Sequence, residues 1–277
     1  MEKIDLFIGV CVTYDDYLSY KDQLESSLSN LSELFIGDVY IYMIIQSREL
    51  NVEVIETLLP NCVEYDSVFG ISRARNKCIE KSVSMQCDYI LFHDASIYWT
   101  PASVRFISEF RDSSPLIDVD MSDDIDFTES RMGFDLKIIN PVYFTHVGSY
   151  LLKVSDIKNV RFNEEFGPGD LSNFNCGEDT LFLFDLFSKR QSYRACKSSF
   201  LSLYHPPRDS DFSKHLYYAK GQGAMFGVLV NKHRSFSTLL DCCLFFGNAI
   251  WRLFLMRRNS LQILKFRVFG FLYGYRL

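Results

Sequence analysis

The chain has 277 residues, of which 48% are hydrophobic and 23% are charged, so it can bury a large core and is not a disordered chain. The formal net charge is -6, but residues 231–277 hold eight basic side chains and one acidic one. An acidic body with a basic, apolar tail argues against nucleic-acid binding and suits an anionic membrane surface. The eight cysteines form no Cys-x-x-Cys pair, and residues 1–16 lack the apolar run of a signal peptide, so we expect a reducing, cytoplasmic compartment.

The first half of the chain alternates between strand-like and helix-like patterns. Short apolar runs predict strands over 5–12, 39–45, 62–66 and 89–93. Helical spacing predicts helices over 15–33, 49–59 and 71–84, and a further helix that starts at Pro101 with Thr100 as its cap. Strands that alternate with helices predict an α/β fold with a doubly wound, mostly parallel sheet.

The alternation breaks after about residue 112. Residues 111–130 are acid-rich and aperiodic, which predicts a loop or a mobile flap. Strand character resumes over 141–154, a helix begins near 178, and a last strand ends at His205, where Pro206-Pro207 prevents its continuation. We therefore expect a catalytic domain over 1–230 and a basic, hydrophobic helical tail over 231–277.

The stretch "YILFHDASIYWTP" (89–101) drives a buried strand into the pair His93-Asp94. Parallel sheets bind ligands beyond the carboxyl ends of their strands, and Asp94 lies at such an end. An aspartate there either caps a helix or holds a charged group. Because Thr100 already caps the next helix, the pattern favours a functional role for Asp94 and a structural one for His93.

Four stretches, taken in order, resemble the GT-A glycosyltransferases, in particular the large bacterial family two of inverting enzymes that build surface polysaccharides such as O-antigen or capsule. They are "FGISRARNKCIEKS" (69–82), "YILFHDASIYWTP" (89–101), "RFNEEFGPGDLSNFNCGEDT" (161–180) and "LYHPPRDS" (203–210). The first is similar to the family's Gly-x-x-x-x-Arg-Asn helix start and the second to its Asp-x-Asp segment. The third and fourth are similar to its Glu-Asp pair and to the strand that donates a histidine. The resemblance spans roughly residues 4 to 225.

The resemblance implies a nucleotide-diphosphate sugar donor and a divalent cation that neutralises the departing diphosphate. Its metal ligands fall on Asp94, Ser96 and His205, and an aspartate–histidine pair suits Mn²⁺ better than Mg²⁺. Ser96 replaces the family's second aspartate. Coordination through Ser96 is then lost, kept through a water, or replaced by Asp94 and His205 alone.

The remaining donor contacts implied by the resemblance lie near the other strand ends. Arg73 and Arg75 suit diphosphate oxygens, unless they form only a solvated helix face. Thr13 and Tyr14 follow the first strand and are placed to meet base and ribose. The second strand ends in Gln46-Ser47, where the family has an acid that reads the base.

Glu178 and Asp179 open a helix, where acids are favourable even without a function. By the family's pattern Asp179 is the general base that takes a proton from the acceptor hydroxyl, and Glu178 braces the site or touches the acceptor. Gly167, Gly169 and Gly177 would let the backbone approach a sugar closely.

Residues 236–277 are apolar but contain Asp241, Asn248 and Arg252, which suit a membrane-spanning helix poorly. Together with Arg257, Arg258, Lys265 and Arg267, they predict amphipathic helices lying in the interface at the inner face of the cell membrane. The alternative is a helix pair that covers the catalytic domain. A polyprenyl-linked saccharide acceptor would explain an interfacial tail.

The sequence thus predicts a glycosyltransferase that acts on a nucleotide-diphosphate sugar and a saccharide acceptor. Two other interpretations stay open: a nucleotidyltransferase, although "VCVTYDDYLSY" (10–20) lacks its Gly-rich signature, and a non-catalytic relative that binds sugar nucleotides or glycans.

Overall fold

The computed structural model describes residues 3–48, 59–113, 116–122, 134–144, 146–206 and 213–277. The strands are β1 (Leu6–Thr13), β2 (Val39–Gln46), β3 (Cys62–Asp66), β4 (Tyr89–His93), β5 (Leu116–Ser122), β6 (Phe134–Ile138), β7 (Tyr150–Lys153) and β8 (Arg194–Tyr204). The helices are α1 (Tyr14–Leu34), α2 (Ile71–Ser84), α3 (Pro101–Phe110), α4 (Val154–Ile157), α5 (Glu178–Arg190), α6 (Ser213–Lys232), α7 (Phe236–Phe254) and α8 (Ser260–Gly274).

The strands form one sheet in the order β3-β2-β1-β4-β7-β5-β8-β6. Strands β1 to β4 are parallel to one another, β7 runs against both β4 and β5, β5 is parallel to β8, and β6 is antiparallel to β8. The predicted mostly parallel sheet is confirmed. The carboxyl ends of β1, β2, β3, β4, β5 and β8 consequently lie along one edge.

Helices cover both faces of the sheet. Alternate residues of the central strands are therefore buried on opposite sides. Leu24 and Leu28 of α1 and Phe106 of α3 belong to the core on one face. Cys78 of α2 and Phe182 of α5 belong to the core on the other. Strands buried on both faces need continuous apolar sequence, which is the pattern that predicted β1, β2 and β4.

The prediction of a loop over 111–130 is wrong in part, because β5 lies within the sheet, between β7 and β8. The acidic residues within β5 obscured it: Asp118 is buried, accepts a hydrogen bond from Ser149 Oγ at 3.0 Å, and lies 3.8 Å from Lys197 Nζ. The expected strand over 141–154 is also shorter than predicted, since 141–143 form a turn and 147–149 a 3-10 turn before β7. The expected helix over 49–59 falls almost wholly outside the described residues.

The tail helix α8 packs against α6 with no side chain between the two backbones. A Cβ at Gly223 of α6 would lie 2.1 Å from the Arg267 carbonyl oxygen, and one at Gly270 of α8 would lie 2.0 Å from the Lys220 carbonyl oxygen. Contact this close admits only glycine at these positions. The predicted boundary at 230/231 falls inside α6. Helix α8 packs on the part of α6 that lies before this boundary.

Helices α7 and α8 expose many large apolar side chains, among them Trp251 (62%) and Phe254 (76%) of α7. Arg257, Arg258 and Lys265 are exposed as well. Arg267, by contrast, is buried with its guanidinium carbon 3.9 Å from the centre of the Phe245 ring, so it does not face a membrane as predicted. No helix within the described part of the chain is long and apolar enough to cross a bilayer.

Candidate active site

A cleft of about 430 Å³ opens at the carboxyl edge of the sheet. The ends of β1, β2 and β4 form its floor, and the segments around Gly70 and Gly169 form one wall. Its lining includes Thr13, Asp16, Gln46, Gly70, Arg75, Asp94, Ser96, Gly169 and Glu178. This is the edge at which open α/β sheets bind their ligands.

Arg75 lies at the centre of the site, between two aspartate side chains. Its side chain is 4% exposed, its Nη2 donates to Asp94 Oδ1 at 3.0 Å, and its Nη1 donates to Asp179 Oδ1 at 2.5 Å. Burial lowers the pKa of this guanidinium, but the carboxylates of Asp179, Asp94 and Glu178 outweigh it and raise the pKa overall. Three residues singled out from the sequence therefore meet in one buried ion-pair network, and Arg75 is not on a solvated helix face.

Asp179 is fixed on both of its carboxylate oxygens. While Oδ1 accepts from Arg75, Oδ2 accepts the backbone N–H of Val147 at 3.2 Å. Its helix, α5, begins directly after Gly177, whose φ of 104° lies in the left-handed region that favours glycine. Burial raises the pKa of Asp179, while the Arg75 charge lowers it and Asp94 raises it further.

Glu178 lines the cleft, and its Oε2 is buried without a hydrogen-bond partner. Burial, followed by the Asp179 charge, raises the pKa of Glu178 to about 7, although Arg75 opposes the shift. A carboxyl group that titrates near neutral pH can exchange protons with a substrate, as general acids and bases do.

The raised pKa of Glu178 predicts a pH-dependent stability. Between the ordinary value of 4.5 and about 7, the folded protein keeps a proton that the unfolded chain releases, so this group's stabilisation is lost as the pH rises through that window. Glu178→Gln cannot ionise. The unfolding free energy of this variant minus that of wild type should therefore be roughly 1–3 kcal/mol larger at about pH 8 than at about pH 5. Urea unfolding at both pH values measures this. The same substitution at exposed Glu109 is the control, and a pH-independent difference would contradict the prediction.

Two other predicted site residues lie at the edge of the cleft. Thr13 lines it and caps α1, accepting from the Asp16 backbone N–H at 3.1 Å. Ser96 also lines the cleft, and its carbonyl oxygen accepts from Gln23 Nε2 at 2.6 Å. These positions suit contact with a ligand bound over the ends of β1 and β4.

Tyr14, Arg73 and His205 are not brought into the cleft lining. Tyr14 packs against the core beneath α1, while Tyr20, further along the helix, lines the cleft. Arg73 points to the Asp66 carboxylate at the end of β3, 3.0 Å away. His205 follows β8, and its ring centre lies 6.0 Å from that of His146. His146 directly precedes Val147, whose backbone N–H donates to Asp179.

Gln46 has a role that the sequence did not reveal. Its Nε2 donates to the carbonyl oxygens of Val68 at 3.3 Å and Gly70 at 3.2 Å, and its Oε1 accepts the Gly70 backbone N–H at 3.3 Å. An acid in this place has no N–H groups to donate to two carbonyls. Glutamine therefore holds the loop that crosses the strand ends, and the family's acid is absent for a structural reason.

The glycine-rich segment makes a close backbone contact within the protein at one wall of the cleft. A Cβ at Gly169 would lie 2.7 Å from the Gly70 Cα, so the close approach is between two segments of the chain. The two glycines form a backbone bridge that closes one wall of the cleft. Glycine is needed here for the wall itself.

The donor set fits a cation that is held only partly by the protein. The described residues contain no group of three or more histidine, cysteine, aspartate and glutamate side chains placed to hold a metal ion. Asp94 is half-exposed, and only its Oδ1 is engaged among the described residues, by Arg75. The His205 Nδ1 lies 2.7 Å from the Pro206 carbonyl oxygen, an arrangement that leaves Nε2 available as a ligand. Mg²⁺-like ions often bind through one or two carboxylates and complete their shell with substrate phosphates and water.

No protein-family model matches this chain, and a search of curated proteins finds no significant relative. The fold is similar to that of S. aureus TarS, a glycosyltransferase of the GT-A type. TarS 1-349 matches with a TM-score of 0.53 and 14% identity over 82% of this chain and 66% of that one. Its complex with UDP-GlcNAc gives a TM-score of 0.54 at 14% identity over 82% and 67%. Its complex with UDP gives 0.51 at 15% identity over 99% and 89%.

In the first of these matches the chain spans just under two thirds of the TarS fragment. At such low identity, the likeness concerns the architecture of the molecule. The mostly parallel central sheet and the helices around it are shared. The chain therefore has the GT-A nucleotide-diphospho-sugar transferase fold, with a C-terminal helical extension.

Proposed function

We propose that this protein is a glycosyltransferase that moves a sugar from a nucleotide-diphosphate donor to a saccharide acceptor. The observation that carries the proposal is the buried Arg75, which lines the cleft and joins Asp94, also in the lining, to Asp179, which is not among the described lining residues. A buried guanidinium between two carboxylates fixes both in one orientation before any ligand arrives. The similarity to TarS, which was crystallised with UDP-GlcNAc and with UDP, supports a uridine-diphosphate donor.

The geometry suits a single displacement that inverts the anomeric carbon. The acceptor oxygen forms a bond to that carbon while the bond to the diphosphate oxygen breaks, and Asp179 receives the acceptor's proton. Val147 and Arg75 hold the Asp179 carboxylate still during this transfer. Glu178 lies in the same helical turn and orients the donor or the acceptor.

The charge of the cleft favours a bound cation. Among the described lining residues Asp16, Asp94 and Glu178 are acidic, and Arg75 alone is basic. A diphosphate would meet net negative charge there, so Asp94 and Ser96 of the lining, with His205 from outside it, would hold a divalent ion, with Mn²⁺ preferred. When bound, such an ion neutralises the leaving diphosphate.

This arrangement makes metal and nucleotide binding interdependent. We expect Mn²⁺ with UDP to raise the thermal midpoint more than the sum of either alone, because each completes the other's site. Ser96→Asp, which supplies a second carboxylate, should tighten Mn²⁺ binding in the presence of UDP roughly tenfold by calorimetry. Ser19→Asp on exposed α1 is the matched control. Equal Mn²⁺ affinity in the two variants would argue against the site.

The donor is tested directly by a panel of UDP-, GDP- and dTDP-sugars in thermal-shift measurements, followed by assays of donor hydrolysis. A stabilising nucleotide sugar that the protein hydrolyses supports a transferase. A stabilising donor with no hydrolysis and no transfer would instead identify a non-catalytic sugar-nucleotide-binding protein, the alternative that Ser96 favours. No stabilisation by any member of the panel would reject both.

We propose further that the protein is cytoplasmic, lies on the inner face of the cell membrane and acts on a polyprenyl-linked acceptor in surface polysaccharide synthesis. The support is the exposed apolar face of α7 and α8 together with Arg257, Arg258 and Lys265. Apolar side chains that enter the acyl boundary and basic ones that meet anionic head groups are typical of interfacial helices.

The interfacial helices predict a simple loss of binding. Trp251→Glu with Phe254→Glu should reduce partition onto vesicles containing phosphatidylglycerol by roughly tenfold or more, because the two aromatic side chains that would enter the membrane interface are lost. Co-sedimentation with vesicles measures the effect. Leu18→Glu, an equally apolar and exposed position on α1, is the control. Equal sedimentation of the wild-type and doubly substituted proteins would remove the membrane proposal.

A further inference from the structure

A second cavity, which we call the tail cavity, lies on the other side of the first turn of α5. Its volume is about 410 Å³, and α5, α6, α7 and the turn at 142–143 form its walls. Gly177 and Thr180 line the tail cavity, whereas Glu178 lines the donor cleft. The two hollows are thus separated by one helical turn, the turn that carries Asp179.

Two side chains that line the tail cavity offer hydrogen-bond acceptors, namely Gln222 and Asp241. Gln222 Oε1 is buried, and no group among the described residues donates a hydrogen bond to it. Asp241 of α7 is buried, with Oδ1 accepting from the Tyr143 hydroxyl at 2.9 Å and Oδ2 accepting from Asn140 Nδ2 at 2.8 Å. A buried acceptor without a donor is costly, and a ligand hydroxyl would satisfy it.

The charge of the tail cavity separates it from the donor cleft. None of the described residues that line it is a lysine, an arginine or a histidine, and Asp241 is its one charged side chain among them. A phosphate would find no cation there. Phe245 adds an aromatic side chain to the lining, with the Phe226 ring centre 4.6 Å and the Arg267 guanidinium carbon 3.9 Å from its own ring centre. Hydrogen-bond acceptors without a cation among the described lining residues suit a neutral sugar, whose hydroxyl groups donate.

We infer that the tail cavity binds a neutral saccharide unit of the acceptor, so that α7 forms part of the acceptor site. The inference rests on the proposed function. It places this one saccharide unit on the opposite side of the first turn of α5 from the donor cleft. Leu244, at the mouth of the cavity, is exposed, which leaves a path for the rest of the acceptor toward the apolar face of α7.

The test uses the full chain and saturation-transfer NMR with neutral methyl glycosides of the common hexoses and N-acetylhexosamines. Leu244→Trp fills the cavity from its exposed mouth and should weaken saccharide binding about tenfold or more by exclusion. Gln222→Leu removes the unpaired acceptor and should weaken binding roughly five- to tenfold. Leu240→Trp, one turn earlier on α7 and equally exposed, does not line the cavity and should bind like wild type.

Three results would overturn the inference: no saccharide signal in wild type, an equal signal in Leu244→Trp, or stronger binding of glucose 1-phosphate than of the neutral glycosides. Thermal midpoints of the variants show whether each is folded. UDP binding, measured separately on wild type and on Leu244→Trp, keeps the two proposals apart. If wild type binds UDP but no saccharide, only the tail-cavity inference is rejected, whereas absence of UDP binding by wild type rejects the proposed function.

Discussion

Replacing Arg75 with methionine is expected to reduce the unfolding free energy by about 3–5 kcal/mol, because Asp179 is then buried without its counter-charge. Arg73→Met is the matched control. Arg73 is 33% exposed, and its partner Asp66 also pairs with Lys77 at 2.7 Å, so that loss should be only about 0–1 kcal/mol. Urea unfolding of the two variants at one pH measures the contrast.

A second substitution shows where the cost of Arg75→Met arises. Adding Asp179→Asn removes the stranded charge, and the double variant should recover part of the lost unfolding free energy. Asp94 also loses its partner in Arg75→Met, but it is half-exposed and can be hydrated, so its charge need not be removed to recover stability. Similar losses for Arg75→Met and Arg73→Met, or no recovery in the double variant, would contradict the central role of Arg75.

Asp179→Asn is expected to lower the rate of sugar transfer by roughly 10²–10⁴-fold, the usual contribution of a general base. Asparagine keeps the shape of the side chain and can still accept from Val147, so UDP affinity should change little. The measurement is the turnover number with saturating donor, alongside the UDP dissociation constant.

The neighbouring carboxylate provides the comparison for this prediction. Glu178→Gln should lower turnover roughly tenfold, since it removes an orienting group and leaves the base in place. A larger loss in Glu178→Gln than in Asp179→Asn would transfer the base to Glu178, whose pKa of about 7 suits proton exchange. Unchanged turnover in both variants would reject a carboxylate base at the start of α5.

The elements that the sequence predicted well are those whose burial is uniform. Strands β1, β2 and β4 are continuous apolar runs because helices cover both of their faces, and α3 begins where Thr100 and Pro101 predict. Strand β5 escaped detection because Asp118 interrupts its apolar residues. Its burial depends on Ser149 and Lys197, which are distant in sequence, and a local pattern does not contain that information.

The candidate site was predictable in its members but not in its pairings. The resemblance selected Arg75, Asp94 and Asp179, which the fold joins. It also selected Arg73, and only the orientation of α2 decides that Arg75 points inward and Arg73 toward Asp66. The exchange of an acid for Gln46 is explained only by the carbonyl groups that the loop presents to it.

The tail cavity left no signal that a single segment could show, because four separate segments form it. One signal in the tail was readable, namely the paired Gly-x-x-x-Gly spacings at Gly223 and Gly227 and at Gly270 and Gly274. Such spacing is typical of helices that touch along their backbones. It indicates that the tail is packed on the catalytic domain as well as apolar on its outer side.

A fragment of this protein that stopped near residue 230 would lose the helix that shields the glycine-lined side of α6. With no side chains on that side, water would reach the bare main chain, and neighbouring molecules could associate there instead. Expression trials, fusions and circular permutations should therefore retain the final helix. The proposed membrane attachment is better tested by point changes on the outer surface of the tail than by shortening it.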